Sequence, residues 1–177
     1  MADQHSIRLP DFVLPDLYKN HLVIVNEPSV DNKIAKKKAE SDVKSPEFLG
    51  NNLKKITILL VDHEAVFVND QSLQFLSAIL AACKLNLGDV AIVNLANNDL
   101  SYNTIKEWLS PKQMIIFDID ANEINMPFKL PFYQVQAYDQ ASILFAPSLS
   151  TMMGESREAK LEKSKLWLSL KNMFNLS

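Results

Sequence analysis

Three short runs of β-branched and aliphatic residues constrain the fold of this chain more than any other feature. They occupy residues 56–61, 90–93 and 114–117. Continuous apolar runs of this length are typical of strands that are buried on both faces, as in parallel sheets. Stretches with helical periodicity lie between and after these runs, so the pattern predicts alternating strands and helices.

Amphipathic stretches predict where the helices lie. Their apolar positions are Leu73, Leu76, Ile79, Leu80 and Cys83, then Ile105, Trp108 and Leu109, and finally Leu166, Trp167, Leu170, Met173 and Phe174. Such spacing places the apolar side chains on one helix face, which is expected to pack on the sheet. Asn69 or Asp70 is expected to cap the first helix, and Pro111 to close the second.

The order of these elements predicts one α/β domain behind an N-terminal extension. The expected fold is a three-layer α/β/α sandwich with a mostly parallel central sheet of about four strands. Residues 133–138 alternate in polarity, as an edge strand does. The domain is expected to span residues 50–177, after an apolar segment at 1–28 and a flexible polar tether at 29–49 that has too little apolar surface to fold.

Composition excludes several classes of protein. The chain has 177 residues, enough for one sizeable core, and its net charge of -3 disfavours a nonspecific binder of duplex DNA. Cys83 is the single cysteine, which excludes an internal disulfide and a four-cysteine iron–sulfur cluster. Its place in an apolar stripe predicts a buried thiol.

The sequence also lacks the signals of membrane proteins and of common cofactor sites. No run approaches the roughly 20 apolar residues that cross a bilayer, and the N-terminus carries no cationic apolar leader, so a cytoplasmic protein without a membrane partner is expected. The three glycines form no phosphate-binding or dinucleotide-binding pattern, so no cofactor is expected.

Polar side chains follow the first two predicted strands where each one ends. Asp62, His63 and Glu64 come after the first strand, and Asn94 ends the second. We interpret residues 62–64 as a solvated polar turn in preference to an acid–base site, and no second histidine stands at ligand spacing, so no metal is expected. An asparagine that ends a strand, as Asn94 does, is common for ordinary turn reasons.

Another pair of carboxylates, Asp118 and Asp120, follows the third predicted strand. No partner base is evident beside them in the sequence. We therefore expect this pair to cap a turn or a helix.

The segment Phe145-Ala146-Pro147-Ser148-Leu149, followed by a helix with Lys165 and Trp167, resembles the last motif of the uracil-DNA glycosylase superfamily. Active members read His-Pro-Ser there, and the histidine donates a hydrogen bond to the uracil oxygen that gains charge as the glycosidic bond breaks. Ala146 stands in the place of that histidine and has no polar atom to donate. The resemblance therefore implies a scaffold without glycosylase activity.

The resemblance extends to the polar residues after the first two strands. Glu64-Ala65 matches part of the Gly-Glu-Ala-Pro-Gly type loop of smaller bacterial glycosylases, but its glycines and proline are missing. The superfamily often places an asparagine where Asn94 lies, to read the uracil edge with an amide that both donates and accepts, and this role and an ordinary turn fit Asn94 equally well. The resemblance thus implies a vestigial pocket with no catalytic residue, formed by Asp62, His63, Glu64, Asn94, Ala146, Pro147 and Ser148.

One branch of this fold, the psi subunit family of bacterial DNA polymerase III, has lost glycosylase chemistry and acts as a protein adaptor. It reads Ser-Pro-Ala-Leu near its last strand and then a helix with Leu-Trp, and this chain is similar in Ala-Pro-Ser-Leu and Leu166-Trp167. In that family an N-terminal segment docks on the clamp loader and the folded core binds the chi subunit. The resemblance implies partner-binding anchors at Phe12, Leu14, Leu17 and Tyr18.

The leading hypothesis is a non-catalytic adaptor that binds a protein partner in DNA replication or repair. One alternative is a nucleic-acid glycosylase with an altered site, in which Asp62 or Glu64 activates water and Asn94 holds a base. Another is a single-stranded nucleic-acid binding module, which predicts a basic rim at the carboxyl end of the sheet. Nucleic acid is the less favoured partner, and the run Lys36-Lys37-Lys38 is interpreted as a solvated stretch in preference to a nucleic-acid contact.

Overall fold

The computed structural model describes residues 46–176 of the chain. The predicted anchors Phe12, Leu14, Leu17 and Tyr18 and the run Lys36-Lys37-Lys38 lie outside the described residues. So does the segment predicted at 1–28, together with all of the predicted tether except residues 46–49.

The described residues form six strands and three α-helices, joined in places by short 3-10 turns. The strands are β1 (Leu49–Gly50), β2 (Ile56–Leu60), β3 (Val90–Asn94), β4 (Gln113–Phe117), β5 (Val135–Tyr138) and β6 (Ala141–Ala146). The helices are α1 (Asp70–Ala82), α2 (Tyr102–Leu109) and α3 (Arg157–Phe174).

All the strands belong to one open sheet with the order β1-β3-β2-β4-β6-β5. The inner pairs are parallel, and the two edge strands, β1 and β5, pair antiparallel with their neighbours. The mixed α/β fold with a mostly parallel sheet is therefore confirmed. The prediction of about four strands is too low, because the sheet has six. Strand β1 has just two residues and gives no readable pattern, whereas β5 lies within the alternating segment predicted as an edge strand.

The central strands are buried on both faces, which explains their uninterrupted apolar sequences. In β2 all five residues are buried, and Ile58 lies between Ile92 of β3 and Ile115 of β4. Three residues of β2 pack in one apolar cluster with α1 and α3, namely Ile56, Ile58 and Leu60. Leu59 points to the other face and packs in a second cluster with α2. The sheet thus carries helices on both of its faces.

Helix boundaries follow from capping. The Asn69 side chain accepts a hydrogen bond from the backbone N–H of Ser72 at 2.9 Å. Of the two residues predicted as possible caps of α1, Asn69 and Asp70, Asn69 is therefore the cap. Helix α2 ends at Leu109, where Ser110 takes a left-handed conformation with φ of 44°, just ahead of Pro111. The predicted ends of both helices are confirmed.

The two tryptophans lie on the surface although the sequence placed both on core-facing stripes. Trp108 is 50% exposed and Trp167 is 37% exposed, whereas their stripe neighbours Ile105, Leu166 and Leu170 are buried. Periodicity alone cannot separate the centre of a helix face from its margin, and a large ring at the margin keeps one side in water. The Cys83 thiol is buried as predicted, and burial raises its pKa.

Candidate functional site

A cavity of about 300 Å³ opens at the carboxyl ends of β2, β4 and β6. Ligands of open α/β sheets bind at this edge, so the cavity is the candidate ligand site. Among the residues predicted to form a pocket, the structure brings four to its wall: Asp62, His63, Glu64 and Ser148. Asn94, Ala146 and Pro147 are not part of that wall.

Asn94 is fully buried at the end of β3, and hydrogen bonds within the chain use both ends of its amide. Its Oδ1 accepts from the backbone N–H of Asp62 at 2.9 Å and of Ala96 at 3.0 Å. Its Nδ2 donates to the carbonyl oxygens of Asp62 at 2.7 Å, Ala65 at 3.0 Å and Val66 at 3.3 Å. The amide therefore holds the loop between β2 and α1 and presents no free edge to a base.

Asn97 strengthens the same attachment, and the sequence reasoning did not single it out. Its Nδ2 donates to the carbonyl oxygens of Ala65 at 3.2 Å and Val66 at 3.0 Å, and Asn98 Nδ2 donates to the carbonyl oxygen of Asn94 at 2.8 Å. The sequence feature that indicates this role is the cluster of asparagines at and just after the end of β3, because asparagine side chains often form hydrogen bonds with backbone groups in loops.

Asp62 is used in a similar way. One carboxylate oxygen accepts from the backbone N–H of Glu64 at 3.0 Å, and the other accepts from the backbone N–H and the side-chain amide of Asn69, at 2.9 and 2.8 Å. Partial burial acts to raise the pKa of Asp62, but the hydrogen bonds from Asn69 and Glu64 outweigh it and hold this pKa below its ordinary value. A carboxylate stabilised in its charged form is a poor general base near neutral pH.

His63 and Glu64 are exposed, and within residues 46–176 their side chains make no hydrogen bond. They line the cavity together with Asp118. Of the residues proposed for acid–base chemistry, Glu64 is thus the one whose carboxylate is free.

Position 146 faces the apolar core. Ala146 is fully buried at the end of β6 and belongs to the same apolar cluster as Phe117 and Leu149. Its carbonyl oxygen accepts from the backbone N–H of Asp118 at 3.0 Å. The Ser148 hydroxyl accepts from the backbone N–H of Ser150 at 3.3 Å and so begins the short turn ahead of α3, as expected for this segment.

The carboxyl edge of the sheet is acidic. Two more cavities adjoin it, of about 340 and 510 Å³, and with the first they are lined by Asp62, Glu64, Asp99, Asp118, Asp120 and Glu123. Lys129 is the sole Lys or Arg among the described residues that line these three cavities, and it pairs with Asp120 at 2.9 Å. A nucleic-acid backbone is repelled by such an edge.

Asp120 has the capping role expected for it. One carboxylate oxygen accepts from the backbone N–H of Asn122 at 3.0 Å and the other pairs with Lys129. These two contacts, the backbone hydrogen bond first, hold the pKa of Asp120 below its ordinary value. Asp118 lies two residues before this turn and has a left-handed conformation with φ of 55°.

Comparison of the sequence with protein-family models gives no match, and comparison with curated proteins gives no significant match. Within residues 46–176, no three His, Cys, Asp or Glu side chains are grouped as metal ligands. None of the helices in this part of the chain combines the length and the apolar character needed to cross a bilayer.

Proposed function

We propose that this chain is a non-catalytic protein with a uracil-DNA glycosylase-like fold that acts as a protein-binding adaptor in DNA replication or repair, in the manner of the psi subunit family. One observation carries the proposal. The amide of Asn94, which would read a base, makes all its hydrogen bonds to the chain itself and closes the loop after β2. A glycosylase needs that edge free for the substrate.

The surroundings of Ala146 support the same conclusion. Base release requires a donor aimed at the oxygen that gains charge, and losing such a donor slows catalysis by roughly a hundred- to a thousand-fold. Ala146 offers a methyl group inside an apolar cluster. Asp62 and Glu64 are the two carboxylates predicted to activate water in an active enzyme, and both oxygens of Asp62 already accept hydrogen bonds from Asn69 and Glu64.

Electrostatics disfavours nucleic acid at this edge of the sheet. Phosphate contacts supply most of the affinity of nonspecific nucleic-acid binding and depend on Lys and Arg. The cavities at the carboxyl edge are lined mainly by carboxylates, as described above. The basic rim that a single-stranded binding module requires is replaced there by an acidic one.

Exposed apolar side chains on α3 support binding to another protein. Leu161, Trp167 and Leu168 are 56%, 37% and 67% exposed. Large apolar groups that share one exposed helix are typical of interaction surfaces. Leu161 and Leu168, seven residues apart, share one exposed side of α3, and Trp167 lies about 100° around the helix from Leu168.

Isolation of the native complex tests the adaptor role. The full chain with an affinity tag is expressed in its source cells, the co-purifying proteins are identified, and the main partner is purified and recombined with the chain. We expect a complex of fixed stoichiometry, measured by light scattering after size-exclusion chromatography, with a protein of DNA replication or repair. A chain that remains alone at its native concentration, or a partner from an unrelated process, would contradict the proposal.

A further inference from the structure

A groove of about 350 Å³ runs between α1 and α3 on the face of the sheet that both helices cover. On α1 it is lined by Phe75, Ala78, Ile79 and Ala82. These positions have the spacing i, i+3, i+4 and i+7, which forms one continuous stripe along a helix. We call this cavity and its two helix walls the α1–α3 groove.

The second wall has the same spacing. On α3 the groove is lined by Lys163, Leu166, Trp167 and Leu170. Two neighbouring helices that present matching stripes create the ridges and the furrow into which a third helix packs. An extended strand would instead need free backbone groups, which a helix does not offer to a neighbour.

The groove continues along α1 beyond this cavity. A second cavity, of about 430 Å³, is lined by Gln71, Gln74, Phe75, Ala78 and Met153, so it shares Phe75 and Ala78 with the first. Helix α1 has 13 residues, which corresponds to a length of about 20 Å. The track is thus long enough for several turns of a bound helix.

Beyond its first residue, the solvent side of α1 is uncharged. The exposed residues that follow Asp70 are Gln71, Gln74, Ser77, Ala78, Ala81 and Ala82. Asp70, the first residue, is the single charged side chain of this helix. Small, uncharged residues allow another helix to approach closely, and they give a phosphate backbone nothing to pair with.

The flank of α3 beside the groove is cationic. At about 100° per residue, Lys160, Lys163 and Lys171 fall within about 80° of one another around the helix. Glu158 and Glu162 fall on the other side, and Glu162 pairs there with Lys165 at 2.8 Å. Within residues 46–176 Lys163 forms no salt bridge, and its ammonium lies 5.7 Å from the centre of the Phe75 ring.

We infer that the α1–α3 groove binds an amphipathic helix of a partner protein, one whose apolar stripe is flanked by acidic side chains. The apolar stripe fills the furrow beside Trp167, and the acidic flank meets Lys160, Lys163 and Lys171. The inference rests on the proposed adaptor role and specifies its binding surface. Single-stranded nucleic acid fits less well, because only one wall of the groove carries cations.

Selection from a peptide library tests this inference without a known partner. A displayed library of randomised helical peptides is enriched on the full wild-type chain, after depletion on the Ala78→Glu variant. We expect enriched sequences with apolar residues at i, i+3 or i+4 and i+7, and with Glu or Asp beside them. A selection that yields no binder, or binders without this periodicity and acidic excess, overturns the inference.

Matched variants then locate the site. The best peptide is labelled and its affinity is measured by fluorescence anisotropy against Ala78→Glu and Ala81→Glu, two identical substitutions at exposed positions of α1 of which only Ala78 lines the groove. We expect Ala78→Glu to weaken binding by about tenfold or more and Ala81→Glu by less than about twofold. Equal effects of the two substitutions overturn the inference.

A charge exchange tests the acidic flank. Lys163→Glu is expected to lower the affinity for the acidic peptide by about fivefold or more. A peptide with Lys in place of its acidic residues is expected to bind this variant more tightly than it binds the wild type. Failure of this exchange overturns the assignment of an acidic partner. If the wild type is a dimer that Ala78→Glu dissociates, the groove binds a second copy of the chain and the inference is overturned. If the wild type binds oligothymidylate and Lys163→Glu abolishes this binding, the groove binds nucleic acid and the inference is overturned as well.

These results are separable from those of the proposed function. If the native partner complex forms equally with wild type and with Ala78→Glu, the adaptor role stands and the α1–α3 groove is not its surface. If no partner complex exists but peptides bind the groove, the proposed adaptor role is contradicted and the binding property of the groove stands.

Discussion

Asn94 makes five hydrogen bonds with one amide group, and all of them connect the end of β3 with nearby backbone. A buried amide that is satisfied in this way adds rigidity, and its removal leaves several buried backbone groups without partners. At the scale of single residues, Asn94 therefore connects the loop after β2 with the loop after β3. Its sequence signature is the same as that of a base-reading asparagine.

Asn94→Ala is expected to lower the free energy of unfolding by about 2–4 kcal/mol, because the backbone N–H and the carbonyl oxygen of Asp62 both lose their partner. Urea denaturation of the full chain measures the change. Asn97→Ala is the control, because Asn97 donates to two of the same carbonyl oxygens from a more exposed position; we expect it to cost less than about 1 kcal/mol. Equal costs would contradict the central role of Asn94.

Ala146→His returns the residue that an active superfamily member has at this position, and we expect it to damage the protein. The methyl group is fully buried in an apolar cluster, so a larger polar ring should cost about 3 kcal/mol or more. Thermal unfolding compared with Ser150→His, at an exposed position nearby, measures the cost. A variant as stable as the wild type would show that position 146 opens on the cavity.

At the scale of elements, the loop between β2 and α1 depends on the charge of Asp62. Its pKa is lower in the folded chain than in the unfolded chain, so its contribution to stability is fully present above the ordinary pKa of about 3.9 and is lost as the pH falls through the lower folded value. Loss of this carboxylate should cost about 1 kcal/mol, the typical net contribution of an intramolecular hydrogen bond.

The pH dependence can be isolated with Asp62→Asn. The difference in free energy of unfolding between wild type and Asp62→Asn should be constant from pH 7 to pH 5 and should shrink below about pH 4. Denaturant titrations at each pH measure it. A difference that grows on acidification would show that burial, and not hydrogen bonding, dominates the pKa of Asp62.

Much of this element structure could be read from the sequence, and the exceptions have physical causes. Buried parallel strands have long apolar runs, and α1 to α3 have apolar stripes, so the strands and the helices were predicted. Capping signals were predicted for the start of α1 and the end of α2. Strand β1 was missed because a pairing of two residues with β3 needs no hydrophobic pattern. Trp167 was assigned to the core because its place at the margin of α3 depends on the packing of α1 beside it.

The site was less predictable than the fold. Sequence reasoning identified Asp62, His63, Glu64 and Ser148, which do line one cavity, because strand ends in a parallel sheet meet at one edge. It could not tell that Asn94 bonds to a loop about thirty residues earlier in the chain, since such partners are set by loop conformation. The α1–α3 groove was likewise invisible, because it depends on which helices become neighbours.

At the scale of the whole described domain, charge is separated between two surfaces. Carboxylates surround the cavities at the carboxyl edge of the sheet, whereas α3 carries five basic and two acidic side chains although the entire chain has a net charge of -3. This separation keeps phosphate away from the edge where catalysis would take place. The cationic side of α3 is complementary to the acidic partner helix that we propose.

Uracil release from single-stranded DNA tests the central claim most directly. The full chain, in excess over a labelled oligonucleotide with one uracil, is incubated and the abasic site is cleaved with alkali. We predict no cleavage above the protein-free control, for wild type and for Glu64→Gln alike. Cleavage by the wild type that Glu64→Gln abolishes, with the thermal stability of the variant unchanged, would contradict the account.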